Sequence, residues 1–493
     1  MTPEHHRIVI VGTGFSGVGA AVRLLEAGHT DLVLLERAHD VGGTWRDNTY
    51  PGCRCDVPAH LYSFSFAPNP AWSDTYATQP EIWDYLRGVA ADAGLLPRIR
   101  WGQEVVDASW DEAAEQWVIT TSEGRFSARV LILGTGALVS PSVPDLPGLA
   151  DFAGTVFHSA RWDHDHSLAG ERVAVIGTGA SAIQLVPAIQ PSVAHLDVYQ
   201  RTPPWILPHT TRAIRPWEQR VYRALPFTQR VVRDGVYWGR EALVLGFVKR
   251  PALLKAAERQ ALRHLAAQVP DPALRTRLTP HYDLGCKRIL IANDYYPALT
   301  QPNVSLVTDP ITAVTHDGLV TVDGTEHPAD TIVLATGFHV TDNPMGPLVH
   351  GRAGHRLDEA FGPALPSYLG TTMPYFPNLF VMTGPNTGLG HSSMILMIES
   401  QLTYILDALR RAGDATFEVR EEVARAYTEE MQGALPGTVW ASGCASWYLD
   451  RDGRNGVLWP GFTFTFRRRT RRFDVDDYRF SRHQATVAAI ASS

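Results

Sequence analysis

Two short glycine-rich segments carry the first chemistry that this chain could do. In VGTGFSG the residues Gly12, Gly14 and Gly17 stand at the GxGxxG spacing, and in IGTGASA the residues Gly177, Gly179 and Ala182 take the same places. At that spacing the first small residue permits a tight turn, the second lets backbone amides approach a pyrophosphate, and the third lets a helix pack closely on the preceding strand. The phosphates of a dinucleotide then sit at a helix N-terminus, where unpaired N–H groups and the macrodipole favour negative charge. One GxGxxG is a weak signal; two, each between an apolar run and a helical pattern, are a strong one.

Two side chains at matched distance separate the ligands. Glu36 in DLVLLER lies 19 positions past Gly17, and Arg201 in LDVYQRT lies 19 positions past Ala182. A carboxylate there accepts from ribose hydroxyls and repels a 2′-phosphate, which predicts FAD or NAD. A guanidinium there takes a 2′-phosphate bidentately, which predicts NADPH, with the neighbouring Thr202 in the same site. A chain that holds both moves hydride from NADPH to a flavin.

These groups need a scaffold. Each glycine segment follows an apolar run of strand length, RIVIV or RVAVI, and precedes a helical pattern, VGAAVRLLEAG or IQLVPAIQ, so one strand-turn-helix unit is used twice. Two further apolar runs enter glycine turns: DTIVLATGF, with Thr336 and Gly337, and NLFVMTGPNTGLGHSS, with Asn386. Both are assigned to the flavin side, the second leading into an amphipathic helix whose N-terminal amides face the flavin. The expected fold is α/β, with two Rossmann-like dinucleotide-binding domains, one for FAD and one for NADPH, and a helical insert. The FAD domain is discontinuous, residues 1–150 and 336–493, the later part carrying a C-terminal loop for substrate and NADP. The NADPH domain is residues 151–335 with the insert at about 205–280. The apolar stripe of VYWGREALVLGFV in that insert is read as core or domain seam, with a lipophilic substrate tunnel as the alternative.

Composition sets bounds. At 493 residues, 45% hydrophobic and 19% charged, the chain suffices for two or three cores. A net charge of −7 offers no long-range attraction to phosphate backbones and argues against nucleic acid as a partner. RRRTRR, Arg467 to Arg472, stands beside FDVDD and is read as locally paired surface charge. The four cysteines, Cys53, Cys55, Cys286 and Cys444, include no CxxC pair, which argues against a disulfide framework, a zinc site or a disulfide reductase; no metal ligand is assigned. With no apolar run of about 18 residues and no leader pattern, a soluble cytoplasmic protein without a membrane span is expected.

Taken in order, VGGTWRDNTYPGCRCD, FAGTVFHSARWD, GTGASA, QRTPPW, GCKRI and ATGF resemble the type I Baeyer–Villiger monooxygenases, which are class B flavoprotein monooxygenases. The fingerprint FxGxxxHxxxW followed by Pro or Asp is met by Phe152, Gly154, His158, Trp162 and Asp163, and the resemblance runs from about residue 7 to about residue 480. It implies oxidation of a ketone to an ester or lactone, dependent on NADPH and O2, through a C4a-peroxyflavin. It implies that the fingerprint residues couple the two domains, that Arg288 of GCKRI stabilises the reagent, and that Asp56 of YPGCRCD orients Arg288. Such chemistry needs a dry site and a cation that cannot deprotonate, which suits arginine better than lysine. By the same resemblance Lys287 recognises NADPH. Gly43, Thr44 and Trp45 lie against the flavin, and Trp447 in CASWY belongs to a mobile loop that folds over NADP and substrate. NTYPGCRCDVPAH and DRDGRNGVLW depart from the commonest family patterns, so the wall that meets substrate stays open. Oxygenation at nitrogen or sulfur on the same scaffold is the alternative, followed by an NADPH-flavin reductase that oxygenates nothing.

Overall fold

A computed structural model describes residues 3–341, 345–361, 366–450 and 452–481. The two apolar runs that precede the glycine turns lie inside two separate sheets. The first sheet contains β1 (Glu4–Val11), β2 (Leu32–Leu35), β3 (Ile99–Arg100), β4 (Val105–Asp111), β5 (Gln116–Thr121) and β6 (Arg125–Leu133). Its order from β4 is β4-β5-β6-β1-β2-β3; Val349–His350 extends it beyond β4, and Leu379–Val381 pairs with β6. β1 runs parallel to both β2 and β6, with Val11 opposite Leu35 and Leu133. Because both faces of β1 are covered, Ile8 to Val11 are all buried instead of alternating.

The second sheet is wholly parallel: β7 (Thr155–His158), β8 (Arg172–Ile176), β9 (His195–Tyr199), β10 (Val304–Val307) and β11 (Thr331–Leu334), in the order β10-β9-β8-β11-β7. This corrects the placement of DTIVLATGF on the flavin side. Its strand is β11, with Leu334 between Ile176 and His158; the turn after it pairs with the connection that leaves β6, Phe338 bridging to Pro141. A buried parallel strand reads the same in either sheet, so sequence could not separate them. The fingerprint segment is likewise more than a connection, since its Thr155 to His158 form the edge strand β7.

The glycine turns are near copies. α1 (Phe15–Glu26) follows β1 and α2 (Ala182–Ile189) follows β8. Gly12 (φ +96°) donates its N–H to the Leu35 carbonyl at 2.8 Å, and Gly177 (φ +117°) donates to the Tyr199 carbonyl at 3.1 Å. Glu36 and Arg201 therefore leave their strands just beyond the residues that pin the two turns. At Gly17 the reason for glycine is steric: an added Cβ would stand 1.8 Å from the Gly12 carbonyl oxygen. Gly17→Ala must push α1 off the turn, and is expected to destabilise the protein by about 1–3 kcal/mol and to yield protein depleted in flavin. The ratio of flavin to protein absorbance and a melting curve check this.

The helical insert lies between β9 and β10 and includes α3 (Pro216–Ala224), α4 (Pro226–Val244) and α5 (Leu254–Gln268). Although it follows the second unit in sequence, α4 packs on the first. Arg233 donates to the carbonyls of His60 at 2.7 Å and Ser63 at 2.9 Å, and Gln229 donates to that of Asn69 at 2.7 Å. The core or seam expected for VYWGREALVLGFV holds for Val244 and Phe247, which are buried, but Trp238 is 59% exposed and Leu243 and Leu245 are each 45% exposed. Helical periodicity states that a face is apolar; it does not state what covers that face.

Candidate functional site

A cavity of about 1410 Å³ opens where the carboxyl ends of the two sheets face each other. Single small-ligand sites commonly span roughly 300–1,000 Å³, so there is room for more than one. Gly12 and Gly14 line one side and Gly177 and Gly179 the other; Gly17 and Ala182 lie beneath them, where the helices meet their turns. Open sheets of this kind bind ligands beyond the carboxyl ends of their strands.

On the first side Glu36 is buried, and both its oxygens accept hydrogen bonds. Oε2 takes the Thr13 N–H at 3.0 Å and the Thr13 hydroxyl at 2.7 Å, while Oε1 takes the Ala38 N–H at 3.0 Å and Arg46 at 2.9 Å. Gly43, Thr44 and Trp45 line the same side, and the Trp45 indole donates to the Tyr62 hydroxyl at 3.0 Å. Thr336 and Gly337 line the cavity just beyond β11, the Thr336 hydroxyl donating to the Ser142 carbonyl at 2.5 Å.

On the second side Arg201, Thr202 and Lys287 line the cavity together. Burial, and then the charge of Arg201, lower the pKa of Lys287 below the ordinary lysine value. Two cations on one wall, close enough for the charge of one to lower the pKa of the other, form a site for a dianionic group such as a ribose 2′-phosphate. A cradle with no room for a Cβ at Gly17, an acid at one strand end and a cation pair at the other fit an FAD and an NADPH.

Between the two sides stands an ion pair. Arg288 Nε donates to Asp56 Oδ2 at 2.7 Å and Nη2 donates to Oδ1 at 2.6 Å, a bidentate fork. Each side chain keeps about a quarter of its surface open to the cavity, 28% for Arg288 and 24% for Asp56. Burial alone would raise the Asp56 pKa, but the charge and hydrogen bonds of Arg288, with the charge of Arg240, hold it below the usual value. Asp56 in turn raises the Arg288 pKa against the effect of burial. The guanidinium is therefore a permanent cation in fixed orientation.

Several participants were not visible beforehand. Arg240, on α4, donates to the Asp56 carbonyl at 3.2 Å and to the His391 carbonyl at 3.2 Å, so the insert reaches the ion pair. Gly134, Thr135 and Gly136 line the cavity just beyond β6; their signal, LILGTG, is another apolar run entering a glycine turn. The expectation against disulfides is corrected: Cys286 and Cys444 are bonded across 158 residues, with Cα atoms 6.2 Å apart. That bond ties the Lys287–Arg288 segment to the loop carrying Trp447, which lines the cavity and is 45% exposed. Cys53 and Cys55 are free, and burial pushes the Cys53 thiol up to about 12, so neither is poised as a thiolate. Cys444→Ser should leave the loop to be ordered by coenzyme alone. At about 1 kcal/mol for that ordering, the Kd for NADP+ is expected to rise roughly 5-fold. Titration with and without a thiol reductant checks it, since wild type should shift on reduction and the variant should not.

Other expected participants stand off the cavity. Asn386 is buried with φ +55°, and its amide donates to the carbonyls of Asn455 and Leu458, each at 3.0 Å, stapling the C-terminal segment instead of lining the cleft. His158 accepts the Ala160 N–H at Nδ1, and its ring stands 5.8 Å from Phe338 in the crossing after β11. Burial brings its pKa down to about 4, so it is neutral near pH 7. Phe152 is core, and a Cβ on Gly154 would stand 2.2 Å from the Asp330 carbonyl oxygen. Trp162 packs edge-on to Phe157, and Asp163 accepts the Asp165 N–H. In the basic run, Arg469 pairs with Glu430 and not with the adjacent FDVDD, whose Asp477 accepts from the Tyr368 hydroxyl.

The chain matches the flavin-binding monooxygenase-like family over residues 5–234. It is 51% identical over 485 residues to a Baeyer–Villiger monooxygenase of Streptomyces coelicolor, spanning 97% of this chain and 93% of that protein. Its fold matches cyclohexanone monooxygenase from Rhodococcus sp. Phi1 bound to NADP+ with a TM-score of 0.87 at 28% identity, over 97% of this chain and 100% of that one. It also matches OTEMO in complex with FAD and NADP, with a TM-score of 0.88 at 25% identity and the same coverage.

Proposed function

The chain belongs to the Baeyer–Villiger monooxygenases among the flavin-binding monooxygenase-like proteins, with FAD and NADPH as cofactors, and from that premise we propose how its residues divide the reaction. The enzyme converts a ketone to an ester or lactone with NADPH and O2. Bound flavin and nicotinamide supply the hydride transfer and the oxygen activation.

Residues 1–150 and 336–493 form the FAD unit and residues 151–335 the NADPH unit, the glycine turns cradling one diphosphate each. Glu36 takes the FAD ribose. Arg201, Thr202 and Lys287 take the NADPH phosphate, and Gly43, Thr44, Trp45, Thr336 and Gly337 form the walls. Arg288 places a fixed positive charge where negative charge grows on oxygen during the transfer, and Asp56 positions that guanidinium. Trp447, on its tethered loop, covers the cleft and keeps water out. The fingerprint segment, by β7 and the His158–Phe338 contact, couples the two crossings between the units. The cytoplasm, where NADPH is plentiful, is the compartment we assign.

The observation that carries this reading is the bidentate Arg288–Asp56 pair opening onto the same cavity as both glycine turns. Incubation of holoenzyme with NADPH and ¹⁸O₂ beside a ketone panel, an amine and a sulfide tests it. Label in an ester or lactone is expected. Label only in the amine or sulfide would assign the site to heteroatom oxygenation, and NADPH consumption with label in no product would leave a reductase.

A further inference from the structure

Among the described residues, one face of α4 is largely open to solvent. Phe227, Val231 and Trp238, with Leu245 just past the end of the helix, fall on a single narrow stripe at 3.6 residues per turn, and are 60%, 64%, 59% and 45% exposed. The Phe464 ring, 6.2 Å from Trp238 and itself 42% exposed, widens the stripe, and Trp217 on α3 is 57% exposed nearby in the chain. The opposite face is anchored: Gln229 is buried, Arg233 reaches the His60 and Ser63 carbonyls, and Arg240 reaches those of Asp56 and His391. The stripe is thus held rigidly outward. Surface hydrophobics scattered singly need no explanation, but bulky side chains aligned on one helix mark a contact site.

Charge selects the occupant. Residues 212–263 hold twelve Lys and Arg against four Asp and Glu, a net of +8 within a chain whose total is −7, which leaves −15 on the rest. Arg223, Arg230, Lys249 and Arg250, at the ends and flank of α4, are exposed, and none is in an ion pair among the described residues. A second copy docking through the same stripe would set +8 against +8. An apolar stripe with Trp and Phe, bordered by Lys and Arg, is the composition of a helix lying in the plane of an anionic lipid surface. The stripe itself carries one acid, Asp234.

We propose that this enzyme seats on anionic membranes through α4, with Phe227, Val231, Trp238 and Leu245 entering the headgroup boundary and the surrounding basic residues facing the lipid phosphates. The contact is peripheral, since no helix among the described residues is long and apolar enough to cross a membrane. It is independent of which substrate the cleft takes.

Flotation of the full-length holoenzyme tests the proposal, using vesicles of phosphatidylcholine alone and of phosphatidylcholine with phosphatidylglycerol. Wild type is expected to float with the mixed vesicles and to show a blue shift of tryptophan emission. The double variant Phe227→Ser and Trp238→Ser is expected to bind them at least about tenfold more weakly, with ketone turnover in solution unchanged. No flotation of wild type would overturn the proposal. So would equal flotation of the variant, which would mean adsorption by charge alone. Light scattering that shows a wild-type dimer and a monomeric variant would also overturn it, in favour of a second copy on the stripe.

Discussion

Arg288→Ala is expected to lower ketone turnover by about 10³-fold while NADPH is still consumed. The loss of one preorganised charge donor at a developing oxyanion costs about 10²–10³-fold in known enzymes, and here the donor is a full cation in a bidentate fork. NADPH consumption should continue because the Arg201 and Lys287 side of the cleft is untouched, so reducing equivalents pass to oxygen without reaching a ketone. Arg288→Lys should recover only part of the loss, since an ammonium cannot reproduce the two parallel hydrogen bonds to Asp56. Product formation and NADPH consumption measured in one assay give the coupling ratio. A variant that loses both equally would show that Arg288 serves binding or folding and not the oxygen step.

The same substitution has a pH signature. In wild type the Asp56 pKa is depressed, so the pair's stabilisation is present above the ordinary carboxylate range and is lost as pH falls through that depressed value. With Arg288 removed, burial is opposed by the weaker influences of Arg240 and of a backbone hydrogen bond, and the Asp56 pKa moves upward. A raised folded-state pKa reverses the sign: the variant is then best placed at acid pH and loses stability as pH rises. The gap in melting temperature between wild type and variant is therefore expected to widen from about pH 4 to about pH 7. A constant gap would mean that Asp56 finds another partner.

What could be read ahead of the structure follows from which physics is local. A strand entering a glycine turn is written in consecutive residues, so both cradles and the offsets of Glu36 and Arg201 are legible without tertiary information. The Arg288–Asp56 contact spans 232 positions, and no spacing rule connects GCKRI to YPGCRCD; only the resemblance linked them. The Cys286–Cys444 bond had no such guide. Its partners sit in segments that meet only after the sheet crossings form, and the absence of CxxC says nothing about cysteines that far apart. DTIVLATGF was misplaced because β11 is buried on both faces and carries no mark of which sheet it joins. Asn386 stands off the cleft for a similar reason, since a glycine-rich turn is visible in sequence while the direction of one amide within it is not. For α4 the period revealed an apolar face, and only packing could show that part of it lies open among the described residues.

Arg201→Ala is expected to raise the KM for NADPH by about 100-fold, leave the KM for NADH within a factor of about two, and hardly change kcat. Hydrogen bonds to a charged group contribute about 1.5–3 kcal/mol, and the 2′-phosphate exists only on NADPH, so the loss falls on one coenzyme. Lys287 should not compensate fully, because it is a single ammonium turned partly over the Tyr282 ring, 5.0 Å from its centroid. Removal of both cations is expected to cost about 10³-fold and to abolish discrimination. The alkaline side of the profile separates this account from a simple change of loop shape. In wild type Lys287 loses its proton at lower pH than an ordinary lysine, through burial and then the charge of Arg201, so the KM for NADPH should begin to rise early as pH increases. Without Arg201 that limb should move to higher pH even though the KM is already larger. If the KM values for NADPH and NADH instead rise together, Arg201 shapes the turn after β9 and does not read the phosphate.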